Sequence, residues 1–136
     1  MVMMLLVRVL FVLAGLYDGV LGLAFLTNGP GLFQRFNVTP PNHWGYIQFP
    51  ALLLLIFALM FLAIAARPKA NRGLIWYGVL LKAAYCGVVF GHWLGGGIPG
   101  MWKPFALIDL GFLILFVLAW FALKPGAAGS GVEFST

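Results

Sequence analysis

The most prominent pattern along the chain is four long apolar stretches, separated by short segments rich in proline, glycine and basic residues. A transmembrane helix needs about 20 consecutive, mostly apolar residues, and each stretch reaches that length. The pattern therefore predicts four membrane-spanning helices, at residues 4–26, 42–66, 73–94 and 104–123. The glycine- and alanine-rich residues 125–136 predict a flexible C-terminal tail.

The segment between the first two predicted spans combines breaking and capping signals. Asn-Gly-Pro-Gly at 28–31 predicts a break over residues 27–39, within which the apolar run 32–36 is expected to lie along the membrane interface. Thr39 followed by two prolines is typical of a helix start. Pro50 predicts a kink in the second span, because proline cannot donate the helical hydrogen bond.

Composition narrows the class of protein. Hydrophobic residues make up 63% of the 136 residues and charged residues only 8%, whereas a soluble domain carries about 25% charged residues. So few charged residues cannot cover the surface of a soluble protein. The sequence therefore indicates an all-α integral membrane protein whose first partner is the lipid bilayer. The net charge of +5 is consequently not taken as a nucleic-acid signal, and we expect no nucleic-acid partner.

Basic residues predict the orientation in the membrane, because cytoplasmic loops are enriched in lysine and arginine. One side is expected to hold most of them: Arg8, Arg67, Lys69, Arg72 and Lys124. The other side holds only Arg35 and Lys103. We therefore expect an up-down-up-down four-helix bundle with both termini in the cytoplasm.

A lysine stands near the middle of the third predicted span, in YGVLLKAAYCGVVFGHW at residues 77–93. One face of this helix is defined by residues that recur at spacings of three and four: Lys82, Tyr85, Cys86, Val89 and His92. A lysine at this depth costs about 2.5–3.5 kcal/mol on insertion scales, so it should face protein instead of lipid.

Two aspartates are candidate partners for Lys82. At about 1.5 Å per residue from the cytoplasmic end, Asp18 and Asp109 lie at about 21 and 22 Å and Lys82 at about 12 Å. Because a lysine stem is long, we expect Lys82 to meet Asp18, Asp109 or both. Either one carboxyl is protonated or a further donor joins the cluster. The candidate donors are Tyr17, Tyr85, Gln48 and His92.

The sequence contains no nucleophile–base motif and no phosphate-binding loop, so a non-enzymatic role is favoured. Three functions remain open. The first is an accessory or assembly subunit of a membrane complex or homo-oligomer, without a cofactor, in which the polar cluster is a structural ion pair. Its docking surfaces would be the GxxxG pairs and the aromatic residues of the fourth span: Gly15/Gly19, Gly87/Gly91, Phe105, Phe112, Phe116 and Trp120. The second is a binder or carrier of a quinone, lipid or other small hydrophobic molecule. The third is a redox subunit with haem, pigment or metal on His43 and His92.

The chain contains four short motifs, one in or next to each predicted span: Tyr17 and Asp18 followed by glycines, Pro40 to His43, Lys82 to His92 and Trp93, and Asp109 with Leu110. In these features, residues 1–124 resemble the small four-helix bacterial membrane proteins of the DoxX-like group. That group includes the small subunit of a thiosulfate:quinone oxidoreductase. The resemblance implies an accessory or quinone-associated role and a location in a bacterial inner membrane.

Overall fold

Residues 1–124 of the chain, which the computed structural model describes, form four long α-helices and no strand. The helices are α1 (Val2–Arg35), α2 (Gly45–Ala66), α3 (Ile75–Gly95) and α4 (Lys103–Ala122). Short 3-10 turns, Arg72–Leu74 and Gly100–Trp102, precede α3 and α4. Each of the four helices is long and apolar enough to cross a membrane. The predicted all-α fold with four helices able to span a membrane is thus confirmed, while the predicted tail at 125–136 lies outside the described residues.

Helix α1 extends nine residues past the predicted end of the first span, from 26 to Arg35. The only non-helical backbone within it is at Asn28, with φ −141° and ψ 37°. The predicted break over 27–39 is therefore wrong in extent, because α1 bends at Asn28 and resumes through Pro30. Proline is normally excluded from a helix interior because its nitrogen cannot donate the helical hydrogen bond. The kink accommodates this missing bond. Phe33 then buries its ring against Trp44, with ring centroids 5.2 Å apart.

Helix α2 begins at Gly45 instead of 42, so the predicted start at Thr39 and the two prolines is wrong. The imidazole Nδ1 of His43 accepts a hydrogen bond from the Gly45 amide at 2.9 Å. That bond satisfies one of the amides that every helix start leaves without an internal partner. The helix runs on to Ala66 with Pro50 inside it.

Helix α1 lies against α2 along a row of glycines. A Cβ atom added at Gly15 would come within 3.1 Å of the Ala58 carbonyl oxygen, and one at Gly22 within 2.8 Å of the Ala51 carbonyl oxygen. Gly19 leaves more room, with 3.6 Å to the Ala58 side chain. Absent side chains let the two backbones approach closely. The first GxxxG pair is therefore occupied within the chain and is not a free docking surface.

An aromatic core joins the helices on the side of the 67–72 loop. Phe11, Phe61 and Phe116 are fully buried, with ring centroids 4.8 Å apart for Phe11–Phe116 and 5.1 Å for Phe61–Phe116. Helix α3 reaches this core at Gly78, where an added Cβ would lie 2.7 Å from the Phe61 ring. Phe116, which was expected to dock a partner, thus packs inside the chain itself.

The four helices associate unevenly. Helix α1 packs along α2 and α3 packs along α4, whereas α2 and α3 meet over few residues. Near the α4 start, Phe25 of α1 packs on Trp102 and Phe105, with centroids 5.7 and 6.4 Å apart. The space between the aromatic core and these rings is where the charged residues lie.

Candidate functional site

Lys82 joins three helices through two ion pairs. Its Nζ donates hydrogen bonds to Oδ1 of Asp18 on α1 at 2.9 Å and to Oδ1 of Asp109 on α4 at 3.0 Å. The exposed fraction is 0% for Lys82, 2% for Asp18 and 8% for Asp109. The predicted contact of this lysine with both aspartates is therefore present, and the three residues are called the Asp-Lys-Asp cluster below.

Aromatic rings complete the surroundings of the ammonium group. The Nζ atom lies 5.4 Å from the ring centroids of both Tyr17 and Phe112 and 5.7 Å from that of Phe61. The negative face of an aromatic ring attracts a cation at such distances, and more strongly where water is excluded. The ammonium group is consequently stabilised by the two carboxylates and by the surrounding aromatic rings.

Two buried polar atoms beside the cluster have no hydrogen-bond partner within residues 1–124: Tyr17 Oη and Asp18 Oδ2. Both aspartates use Oδ1 for the lysine, which leaves the second oxygen of Asp18 unpaired. A buried polar atom without a partner costs about 1–3 kcal/mol, so native structures leave few of them. The cluster is thus held together by its ion pairs, but its hydrogen-bonding capacity is not fully used.

Of the four side chains predicted to donate to the cluster, only Tyr17 lies beside it with a free hydroxyl. Tyr85 donates instead to the backbone carbonyl of Trp102 at 2.9 Å, which ties α3 to the turn before α4. Gln48 and His92 are exposed. These two lie near helix ends, where helical periodicity predicts the face but not the depth of a side chain.

The two histidines are both on the surface of the bundle. His43 bonds the Gly45 amide and lies beside Tyr46, with ring centroids 6.4 Å apart, and His92 is exposed in the last turns of α3. Across residues 1–124, the structure brings together no group of three or more His, Cys, Asp or Glu side chains suited to a metal ion. A haem or metal site on His43 and His92 stays a prediction.

A cavity of about 260 Å³ adjoins the cluster and is bordered by all four helices and the turn before α4. Tyr17, Asp18 and Asp109 form its polar end. The remaining wall is mostly apolar and combines aliphatic with aromatic side chains, among them Phe25, Phe57, Leu81, Tyr85, Trp102 and Phe105. An engineered apolar cavity of about 150 Å³ holds benzene, so this one has room for a single-ring molecule with a short substituent.

Sequence reasoning did not find this cavity. Its walls are ordinary membrane residues, such as Phe25 and Leu81, that carry no signal in a hydrophobic stretch. The space exists because α2 and α3 meet over few residues, and relative helix placement cannot be deduced from one sequence. The only available signal was the surplus carboxylate beside Lys82.

Comparison with known proteins adds no relative to these observations. The resemblance to the DoxX-like group stays a prediction, and the functional argument depends on the cluster and its cavity. The chain matches no protein-family model, no curated protein and no solved structure.

Proposed function

We propose that this membrane protein binds or carries a small amphipathic molecule, such as a quinone or a lipid-derived compound, in the cavity beside Lys82. The observation that carries the proposal is an apolar cavity whose lining includes both aspartates of the Asp-Lys-Asp cluster. Ligand pockets in general are mostly apolar, with a few polar groups that orient the ligand. An ionisable group inside a membrane is a functional candidate by default.

In this proposal the ligand lies with its polar head at the Asp-Lys-Asp cluster and its apolar body against Phe25, Phe57 and Trp102. Burial of the body supplies binding free energy, at about 25 cal/mol for each Å² of apolar surface removed from water. A ligand drawn from the bilayer gains less, because lipid tails are apolar already. The polar end must therefore supply much of the affinity and most of the specificity.

We infer an up-down-up-down arrangement with both termini in the cytoplasm of a bacterial cell, in the inner membrane. The order of close approaches supports alternating directions, since Gly15 meets Ala58, Gly22 meets Ala51 and Gly29 meets Trp44. The cations of the 67–72 loop support the cytoplasmic assignment of that side. A reporter fused after residue 124 should report a cytoplasmic position, and a periplasmic signal would overturn the orientation.

A cavity-filling variant tests the binding function. Leu54 lines the cavity, so Leu54→Trp should occupy part of the space and abolish co-purification of a small molecule, as measured by native mass spectrometry after gentle extraction. Leu59 is on the same helix and 68% exposed, and Leu59→Trp is therefore the matched control that should retain the molecule. A ligand retained equally by both variants would place its binding site elsewhere.

The second candidate function is the accessory or assembly subunit, in a homo-oligomer or a larger membrane complex. It is favoured by Gly87 and Gly91 of α3, which are exposed and have no atom within 4 Å of an added Cβ. This second GxxxG pair is accessible to a helix of another chain. Gly87→Leu should lower the oligomeric mass in native mass spectrometry, while Val88→Leu on the lipid-facing side should leave it unchanged. Equal masses for both variants would count against an interface at this pair.

A further inference from the structure

The loop between α2 and α3 carries three cations, Arg67, Lys69 and Arg72, on one closed turn of backbone. The Asn71 amide donates a hydrogen bond to the Arg67 carbonyl oxygen at 3.0 Å, and the Arg72 amide donates to the Lys69 carbonyl oxygen at 3.4 Å. The Asn71 side chain also donates to the carbonyl oxygen of Ala63 in α2 at 2.8 Å. The loop is therefore fixed against the end of α2, and its three cations extend from the same short turn.

The side chain of Arg72 is held in place by Trp120 of α4. Its Nε–H donates a hydrogen bond to the Trp120 carbonyl oxygen at 3.0 Å, and its guanidinium carbon lies 3.5 Å from the centroid of the Trp120 ring. A guanidinium has five N–H donors in one plane, and this bond uses one of them. Within residues 1–124 the terminal nitrogens donate to no other group. They consequently form an oriented fork that matches the geometry of a phosphate.

The charge of this loop is not neutralised by the described part of the chain. The carboxylate side chains of residues 1–124 are those of Asp18 and Asp109, and both are buried in ion pairs with Lys82. Arg67 and Lys69 are exposed. The loop therefore presents a positive surface without an acidic side chain of residues 1–124 beside it, and the complementary partner is an anion.

An exposed apolar face of α3 begins next to this positive surface. Trp76 and Leu80 are four residues apart, so they lie on the same side of the helix, and they are 39% and 61% exposed. The Trp76 ring lies beside that of Trp120, with centroids 5.4 Å apart, so Trp120 contacts both Arg72 and Trp76. Tryptophan is enriched where a membrane meets water. A cation at head-group level thus adjoins apolar side chains at the level of the acyl chains.

We propose that this surface binds an anionic phospholipid, with the phosphate at the terminal nitrogens of Arg72 and an acyl chain along Trp76 and Leu80. Arg67 and Lys69 strengthen the attraction to the head group. A soluble phosphate would contact the cations alone, whereas a lipid contacts both the cations and the exposed apolar face, which favours the lipid as the occupant. None of these residues lines the cavity, so the inference is independent of the proposed binding function.

The test is native mass spectrometry of the full-length protein in mixed micelles that contain equal amounts of phosphatidylglycerol and phosphatidylcholine with identical acyl chains. The wild-type protein should retain the anionic lipid in preference to the zwitterionic one. Arg72→Met should lower this preference about fivefold, which corresponds to the contribution of about 1 kcal/mol from one basic residue near an anionic membrane surface. The matched control is Arg35→Met, which removes the same charge next to the start of α2, where Phe33 packs on Trp44, and it should leave the preference unchanged.

Two further variants distinguish a lost binding site from damaged packing. Arg67→Met combined with Lys69→Met changes exposed side chains, so this double variant should keep the wild-type melting temperature and still lower the preference several-fold. Arg72→Lys keeps the positive charge but loses the planar fork and its stacking on Trp120. It should therefore retain less of the anionic lipid than the wild-type protein does.

Several results would overturn the inference. One is equal retention of the two lipids by the wild-type protein, and another is a wild-type preference in Arg72→Met or in the double variant. Equal losses in Arg72→Met and Arg35→Met would show that net charge alone determines the preference. Displacement of the lipid by excess glycerol phosphate would identify a soluble phosphate as the occupant, and a wild-type preference in Arg72→Lys would remove the bidentate contact.

Discussion

Replacement of Lys82 by methionine is the most informative single perturbation of this protein. The change keeps a long unbranched side chain but removes the cation that lies 2.9 Å from Asp18 and 3.0 Å from Asp109. Both carboxyl groups then stay buried in the bundle without a positive partner. Removal of one member of a buried ion pair typically costs about 3–5 kcal/mol. Because one lysine serves two carboxylates here, we expect a loss at the upper end, about 5 kcal/mol.

The loss should be recovered when the carboxyl groups are removed as well. In the triple variant Lys82→Met, Asp18→Asn and Asp109→Asn no charge remains in the cluster, and neutral replacement of a whole buried ion group is often neutral or stabilising. The triple variant should therefore be more stable than the single one. The control is Lys103→Met, since Lys103 lies over the Trp93 ring at 4.7 Å and forms no ion pair in the part of the chain that the structure describes, and a loss of about 1 kcal/mol or less is expected.

Reversible detergent denaturation, followed by far-ultraviolet circular dichroism, gives the free energy of unfolding of each variant. A loss below about 1 kcal/mol for Lys82→Met, which is the range of an exposed pair, would refute the reasoning. So would a triple variant that is no more stable than the single variant, because the cost would then come from lost packing instead of uncompensated charge.

Three further predictions follow from other contacts. Tyr17→Phe should raise the stability of the ligand-free protein by about 1 kcal/mol, because the buried Tyr17 hydroxyl has no hydrogen-bond partner among residues 1–124; a lower melting temperature would contradict this. Gly22→Ala should destabilise the protein by about 1–3 kcal/mol, since its Cβ would lie 2.8 Å from the Ala51 carbonyl oxygen, whereas Gly19→Ala has 3.6 Å of room and should be near neutral in the same denaturation assay. The purified protein should show no visible absorption band, and a Soret band would instead support haem on the exposed histidines.

The Asp-Lys-Asp cluster could be predicted because charged residues in apolar stretches are few and a helix has a fixed rise. Asp18, Lys82 and Asp109 were the charged residues deep in the predicted spans, and the depth estimate placed Lys82 about 9–10 Å from the two aspartates, a gap that the long lysine stem narrows. Their pairing follows from the high cost of leaving any of them to lipid. A strong penalty with few possible partners makes such a contact predictable from sequence.

Other features could not be predicted, for separate physical reasons. Asn-Gly-Pro-Gly is compatible with a loop or with a kinked helix, and burial of Phe33 against Trp44 stabilises the helical continuation. The pair Gly15/Gly19 indicates close helix approach, but the sequence does not say whether the partner is α2 or another chain. The cavity depends on the placement of α2 relative to α3, which is determined by packing of the whole bundle.

The distribution of the cluster over α1, α3 and α4 has a consequence for biosynthesis. The chain enters the membrane from its N-terminus, so Asp18 arrives first and has no cation until the third helix brings Lys82. At that stage Lys82 and Asp18 can form one neutral ion pair. Only the fourth helix adds Asp109, and with it the second ion pair of Lys82. A nascent chain that stops before α4 would therefore have a lysine paired with one carboxylate, and the second ion pair of Lys82 would form in the last step of assembly.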